Sequence, residues 1–161
     1  MPREELGTDR MARPYPAPTA QRRVTVMATA ALSDDLKNLL DKPVFVTVAT
    51  IQPDGSPQLS VVWVKRDGDD LLLSTTVGRR KEKNLRRDPR ITVMINPADA
   101  PYSYAEVRGV ATITTDGADE LIDELSRKYT GKAYAEFNPA SKDDAQRVVV
   151  RVEARKVVGS I

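Results

Sequence analysis

The chain contains neither cysteine nor histidine. Thiolate nucleophiles, disulfides, iron–sulfur ligation, zinc sites built on nitrogen and sulfur, and a Ser-His-Asp relay are therefore all excluded. What survives is chemistry that carboxylates, lysine, tyrosine or a bound cofactor can perform, and a cofactor brings its own reactive atoms. Long hydrophobic runs are also missing. A membrane helix needs about 20 apolar residues, whereas the longest clean run here lies around Val61 to Val64, so no membrane association is expected. The N-terminus lacks a charged segment followed by an apolar stretch and a small-residue cleavage site, which points to a cytoplasmic location.

What is present suits one compact domain: 161 residues, 40% of them hydrophobic, can bury a core without covalent staples. The net charge of +2 argues against a globally cationic nucleic-acid binder. Residues 1–29 hold Pro2, Pro14, Pro16 and Pro18 among many charges with no helical or strand period, the pattern of a flexible tail. Met11 and Met27 are alternative starts within it. The domain proper is expected over residues 30–161, and no internal repeat is visible.

The elements read as follows. Ser33 is a helix N-cap ahead of Leu36, Leu39 and Leu40, and Lys42-Pro43 ends that helix. The β-branched run Val44 to Ile51, the turn Pro53-Asp54-Gly55, a strand from Gln58 to Lys65, the turn Asp67-Gly68 and a strand from Asp70 to Thr75 make three antiparallel strands. A basic helix over Arg79 to Arg87 stops at Asp88-Pro89. Strands return at Ile91 to Ile95 and Tyr104 to Thr115, around the Asn96 to Pro101 turn region. An amphipathic helix runs from Gly117 to Tyr129, with Gly131 beyond it, and a closing strand from Arg147 to Val158. The expected fold is mainly β with inserted helices: a barrel of about six antiparallel strands. There is no βαβα alternation, and no two glycines are separated by a single residue, so a doubly wound nucleotide-binding sheet is not expected.

Charge is concentrated in one window. Arg79, Arg80, Lys81, Lys83, Arg86, Arg87 and Arg90 stand against only Glu82 and Asp88. The window follows the hydroxyls of Ser74, Thr75 and Thr76 at a strand end, and a helix starting near Gly78 would direct free N–H groups at the same point, together forming a phosphate cradle. Arg79 offers a planar fork and Lys81 a point charge. A solvated helix face and contact with nucleic-acid phosphates are the competing readings. No aromatic for base stacking lies between Arg79 and Arg90, so nucleic acid is not an expected partner. Gln58 and Ser60 share one strand face and Trp63 the other. The first two form either a ligand contact or a polar row, and Trp63 suits the core. Tyr102 and Tyr104 share a face beside a turn, where they would stack on a ring or plug the barrel end.

The ordered set Ala49-Thr50-Ile51, Pro53-Asp54-Gly55, Pro57-Gln58-Leu59-Ser60, then Ser74 leading to Lys81 and Asn84-Leu85-Arg86-Arg87-Asp88-Pro89-Arg90, resembles the flavin/deazaflavin oxidoreductases of the pyridoxamine-phosphate-oxidase-like superfamily. More narrowly, it is similar to their actinobacterial B-type branch, which uses the 8-hydroxy-5-deazaflavin coenzyme F-420. The resemblance spans about Ser33 to Ile161. It implies a split β-barrel of the FMN-binding type, forming a homodimer with the cofactor at the subunit interface. By position, Ser74, Thr75, Thr76, Arg79, Lys81 and Asn84 would hold the phosphate and ribityl chain, and Gln58, Ser60 and Val62 would lie near the ring. Tyr102 and Tyr104 would stand beside the cofactor, across the interface.

The implied activity is hydride transfer from the reduced deazaflavin to an electron-poor small molecule. Tyr102, Tyr104 or water are the candidate proton donors, and no metal is needed. An FMN-dependent oxidoreductase of the same fold and a non-catalytic coenzyme carrier are the alternatives. The chain ends at Ile161 without the C-terminal substrate-phosphate segment of true pyridoxamine phosphate oxidases, so vitamin B6 oxidation is not expected. Haem-degrading relatives of the fold need a histidine ligand that this chain lacks.

Overall fold

The computed structural model of the chain describes residues 28–143 and 145–161. The tail expected over 1–29, with its alternative starts Met11 and Met27, lies outside the described residues but for Ala28 and Thr29. The elements run α1 (Asp34–Leu40), β1 (Val46–Ile51), β2 (Pro57–Val62), β3 (Lys65–Asp67), β4 (Asp70–Thr76), α2 (Arg80–Arg87), β5 (Arg90–Ile95), β6 (Ala105–Thr114), α3 (Ala118–Thr130), α4 (Tyr134–Phe137), a 3-10 turn (Pro139–Asp143) and β7 (Arg147–Gly159).

Local chemistry sets many of the boundaries. Ser33 Oγ accepts the Leu36 N–H at 3.1 Å and caps α1. Gly55 (φ 86°) and Gly68 (φ 62°) turn the two hairpins in the left-handed region that the turns require. Asp88 ends α2 ahead of Pro89, and Gly131 ends α3 in the left-handed conformation.

Among the described residues the seven strands form one antiparallel sheet in the order β2-β1-β5-β6-β7-β4-β3. That order puts β2 and β3 at opposite edges. Yet only Trp63 and Val64 separate them in sequence, a span of about 10 Å. The sheet must therefore curl until its two edges nearly meet, without hydrogen bonds joining them: a split barrel. Inside it lie Val46, Val48, Leu71, Ile95, Val107, Val150 and Val152, with Leu36 and Leu40 of α1 joined to the same cluster. A second cluster of Ala118, Leu121, Leu125 and Val149 seats α3 on the other side of β7, with Trp63, Leu72 and Tyr129 packed against it.

The expectation of about six strands is corrected to seven, because the strand expected over Gln58 to Lys65 breaks at Trp63-Val64. The reason is that α3 supplies side-chain partners for the backbone there. Tyr129 Oη accepts the Val64 N–H at 3.1 Å and donates to the Val44 carbonyl, and Lys128 Nζ donates to the carbonyls of Val64 (2.8 Å) and Leu40 (2.5 Å). With those groups satisfied, the chain leaves one edge and starts the other without exposing unpaired buried amides. Further round the barrel, β6 bulges between Arg108 and Gly109. A Cβ at Gly109 would stand 2.5 Å from the Glu153 carbonyl oxygen, so only glycine lets β7 pass this closely.

No helix among the described residues is long and apolar enough to cross a membrane. The seam should be sensitive to one atom. Tyr129→Phe deletes the hydroxyl that serves both Val64 and Val44, and urea unfolding should show a loss of about 1–3 kcal/mol with an unchanged m-value.

Candidate functional site

The β4–α2 junction is built by a buried carboxylate. β4 ends at Thr76, the chain turns through Gly78 (φ 88°), and α2 begins at Arg80 with Arg79 as its N-cap. Arg79 makes no side-chain capping bond. Instead Glu82, 2% exposed, turns back so that its Oε2 accepts the Gly78 N–H at 3.0 Å, while its Oε1 is paired with Arg86 one turn on. Burial pushes the Glu82 carboxyl upward, but the Gly78 N–H and the Arg86 guanidinium outweigh it and hold the group below its usual value.

One N–H at this helix start is thus bound by Glu82 and does not point at a ligand, contrary to expectation. The N–H groups of Arg80, Lys81 and Glu82 have no carbonyl four residues back within the helix.

Around this turn lies a cavity of about 280 Å³. Val62, Ser74, Thr75, Thr76, Arg79 and Lys81, all expected from sequence to bind cofactor, line it together. Arg79 Nε donates to Thr76 Oγ1 at 3.1 Å. Lys81 is half-buried; burial, and then the neighbouring Arg79 charge, lower the pKa of its ammonium. Neither Arg79 nor Lys81 has a carboxylate partner among the described residues. Thr75 Oγ1 is buried with no hydrogen-bond partner among them. Two neighbouring cations without a carboxylate partner, one of them half-buried, are an arrangement that an oxyanion would relieve.

Phe45, Val61, Trp63 and Leu125 give the same cavity an apolar part. Trp63 is held there by stacking on Tyr129 (centroids 5.2 Å, interplanar 13°) and by a tilted contact with Phe137 at 5.4 Å. A cavity with a cationic pole and an aromatic wall fits a phosphate joined to a flat ring.

Other expected residues lie elsewhere. Asn84 is fully buried and donates from Nδ2 to Thr50 Oγ1 at 3.0 Å, and Thr50 Oγ1 donates to Gln58 Oε1 at 3.0 Å. These three tie α2 to β1 and β2. The Ser60 hydroxyl is buried without a partner among the described residues and does not line the cavity. Tyr102, 94% exposed, and Tyr104, 41% exposed, stand on the β5–β6 connection, outside the cavity of their own chain.

Sequence reading missed Arg147 and Tyr134, which also line it. Arg147 opens β7 opposite Thr76. It carries no local motif, so only the strand register brings it to the site.

A curled, unclosed antiparallel sheet, with a cavity beside its seam lined by Arg79, Lys81 and Trp63, defines a split-barrel protein of the flavin-type cofactor-binding class. A model of the pyridoxamine 5'-phosphate oxidase family matches residues 32–159, and the chain belongs to that family. It is similar to a solved F420 reductase at 30% identity, covering 76% of this chain and 94% of that one with a TM-score of 0.65. It is similar also to a conserved hypothetical protein from Mycobacterium tuberculosis, at 27% identity over 86% of this chain and 88% of that one, TM-score 0.63. General stress protein 26 from Bacillus anthracis, at 16% identity, 74% and 86% coverage and a TM-score of 0.55, shares the fold.

Because the folded-state pKa of Glu82 is depressed, its contribution to stability is fully present above the unfolded value near 4.5 and is lost as pH falls through the folded value. Glu82→Gln should therefore lower stability at pH 7 by about 1–2 kcal/mol. Chemical denaturation between pH 3 and pH 7 should also show a shallower acid limb for the variant.

Proposed function

We propose that the chain is a cytoplasmic, homodimeric oxidoreductase that binds coenzyme F-420 and delivers its hydride to an electron-poor small-molecule acceptor. The observation that carries this reading is the half-buried Lys81, beside Arg79 and without a carboxylate partner among the described residues, in a cavity that Ser74 and Thr76 also line. The similarity to the F420 reductase supports the choice of deazaflavin over FMN.

Lys81 and Arg79 would balance the phosphate charge, Ser74 and Thr76 would supply hydroxyl bonds to the phosphate and ribityl chain, and Thr75, whose side chain takes the other face of β4, would line the cavity between them. Val62 and the wall of Val61 and Trp63 would flank the ring and keep water from it. Gln58, Ser60 and Asn84 would act on ring placement through β2, with Ser60 Oγ the donor still without a partner among the described residues. The bound deazaflavin supplies a two-electron hydride, so the chain needs no nucleophile of its own and the missing histidines cost nothing. Its part is positioning and a dry, shaped pocket.

The dimer is motivated by an exposed sheet face. Leu59 (63% exposed), Val61 (66%) and Met94 (38%) project on the same side, because Val61 and Met94 both stand opposite Thr47, while Leu59 stands opposite Ala49. A second copy on this face would carry its Tyr102 and Tyr104 toward the cavity that they do not reach in their own chain. There either hydroxyl would stand as proton donor to the acceptor.

Lys81→Ala should weaken F-420 binding about tenfold or more, measured by tryptophan quenching, while the melting temperature stays within about 2 °C. Equal affinity for both proteins, or clear preference of the wild type for FMN, would remove the assignment. Leu59→Glu combined with Val61→Glu should sediment as a monomer and lose cofactor affinity. A variant that remains dimeric would place the interface elsewhere.

A further inference from the structure

Two sets of residues line the cavity: Ser74 to Thr76, Arg79 and Lys81 from β4 and the start of α2, and Val61, Val62 and Trp63 from the end of β2. β2 is an edge strand that pairs only with β1 among the described residues. Beyond the clasp at Val64, its place relative to α2 is therefore set through β1.

One side chain carries that link across both strands. Thr50 of β1 is fully buried and stands directly opposite Gln58 of β2. Its Oγ1 accepts Asn84 Nδ2 of α2 at 3.0 Å and donates to Gln58 Oε1 at 3.0 Å, and Gln58 Nε2 ends the line on the Leu59 carbonyl at 2.8 Å. The direction is forced. An amide nitrogen only donates, so the hydroxyl must accept from Asn84 and give its one hydrogen to Gln58. A side chain without a hydroxyl would leave both amides short of a partner, and Asn84 is fully buried. Arg87 holds α2 to β1 a second time by donating to the Ile51 carbonyl, but that contact does not reach β2.

We infer that Thr50 is a positioning residue, which holds the end of β2 at the distance from the α2 cradle that one cofactor spanning both requires. It does not line the cavity, so it acts through Asn84 and Gln58 and touches no ligand. This rests on the reading of the cavity as the cofactor site, with the phosphate at Arg79 and Lys81 and the ring beside Trp63.

The test compares two probes on the full-length protein. Inorganic phosphate needs the cradle alone, whereas F-420 needs the cradle and the end of β2 correctly spaced. Thr50→Val keeps the shape and removes the hydroxyl. It should weaken F-420 about tenfold, while phosphate affinity by titration calorimetry stays within about twofold. F-420 binding is followed by quenching of Trp63, the chain's only tryptophan. The quenching at saturation should also fall, because it reports where the ring sits against Trp63 and not how tightly it is held. Thr50→Ser keeps donor and acceptor and should restore both readings. A merely structural role would weaken both probes through the folded fraction and leave the saturated quenching as in the wild type.

If Thr50→Val fails to fold by circular dichroism, Gln58→Met cuts the same line at its half-buried end and should give the same selective loss. Wild-type affinity and saturated quenching in whichever variant folds overturn the proposal. So do equal weakening of both probes and a Thr50→Ser variant that restores neither reading. In each of these cases the cofactor reading stands if Lys81→Ala weakens both probes. Unchanged affinity in Lys81→Ala, or no binding of F-420 to the wild type, overturns the cofactor reading and the proposal together.

Discussion

The hydrogen bonds that Lys128 and Tyr129 send from the end of α3 into the break between β2 and β3 are what the rest of the structure depends on. A two-residue link cannot pass from one sheet edge to the other unless the sheet curls, and the link's own amides must find partners away from both strands. Tyr129 and Lys128 supply those partners at Val64 and extend the same clasp to Val44 and Leu40, at the junction of α1 and β1. The clasp carries a cost in charge: burial pulls the Lys128 ammonium down to about 8, against the opposing pull of Asp41. Tyr129 then serves a second purpose, since its ring is the platform on which Trp63 stacks. Barrel closure and the apolar wall of the cavity are thus set by the same two neighbouring side chains.

The cationic part of the cavity owes its shape to polar groups that do not line it. Glu82 ties the Gly78 turn to α2, and the line from Asn84 through Thr50 to Gln58 ties α2 to the sheet. Each is a hydrogen bond made in a dry place, where misalignment is costly and the geometry is therefore unique. Lys81 is held half-buried beside Arg79 on this frame, where burial first and then the Arg79 charge disfavour its ammonium.

Most strand and helix positions were legible because they obey local rules. Ser33 caps, Gly55 and Gly68 turn, Asp88-Pro89 stops α2, and the apolar face of α3 lies inward as its spacing requires. The basic window was legible as a concentration of charge, and two of its residues, Arg79 and Lys81, line the cavity. The break at Trp63-Val64 was not legible, since those residues alone read as continuous strand. Only the arrival of Tyr129, 65 residues away, makes the break affordable. Asn84 shows the reverse: it sits in the motif, yet its side chain goes to Thr50.

By itself the sequence determined that thiol and imidazole chemistry are excluded, by withholding cysteine and histidine, and that positive charge is massed just after three hydroxyl residues, Ser74 to Thr76. The tertiary structure alone decided which of those residues share a cavity, and it added Arg147 and Tyr134 to them. The physical reason is that composition and local propensity act over a few residues. A site is made by strand register and by the curl of a sheet, and these bring Thr76 and Arg147 face to face across 71 residues of chain.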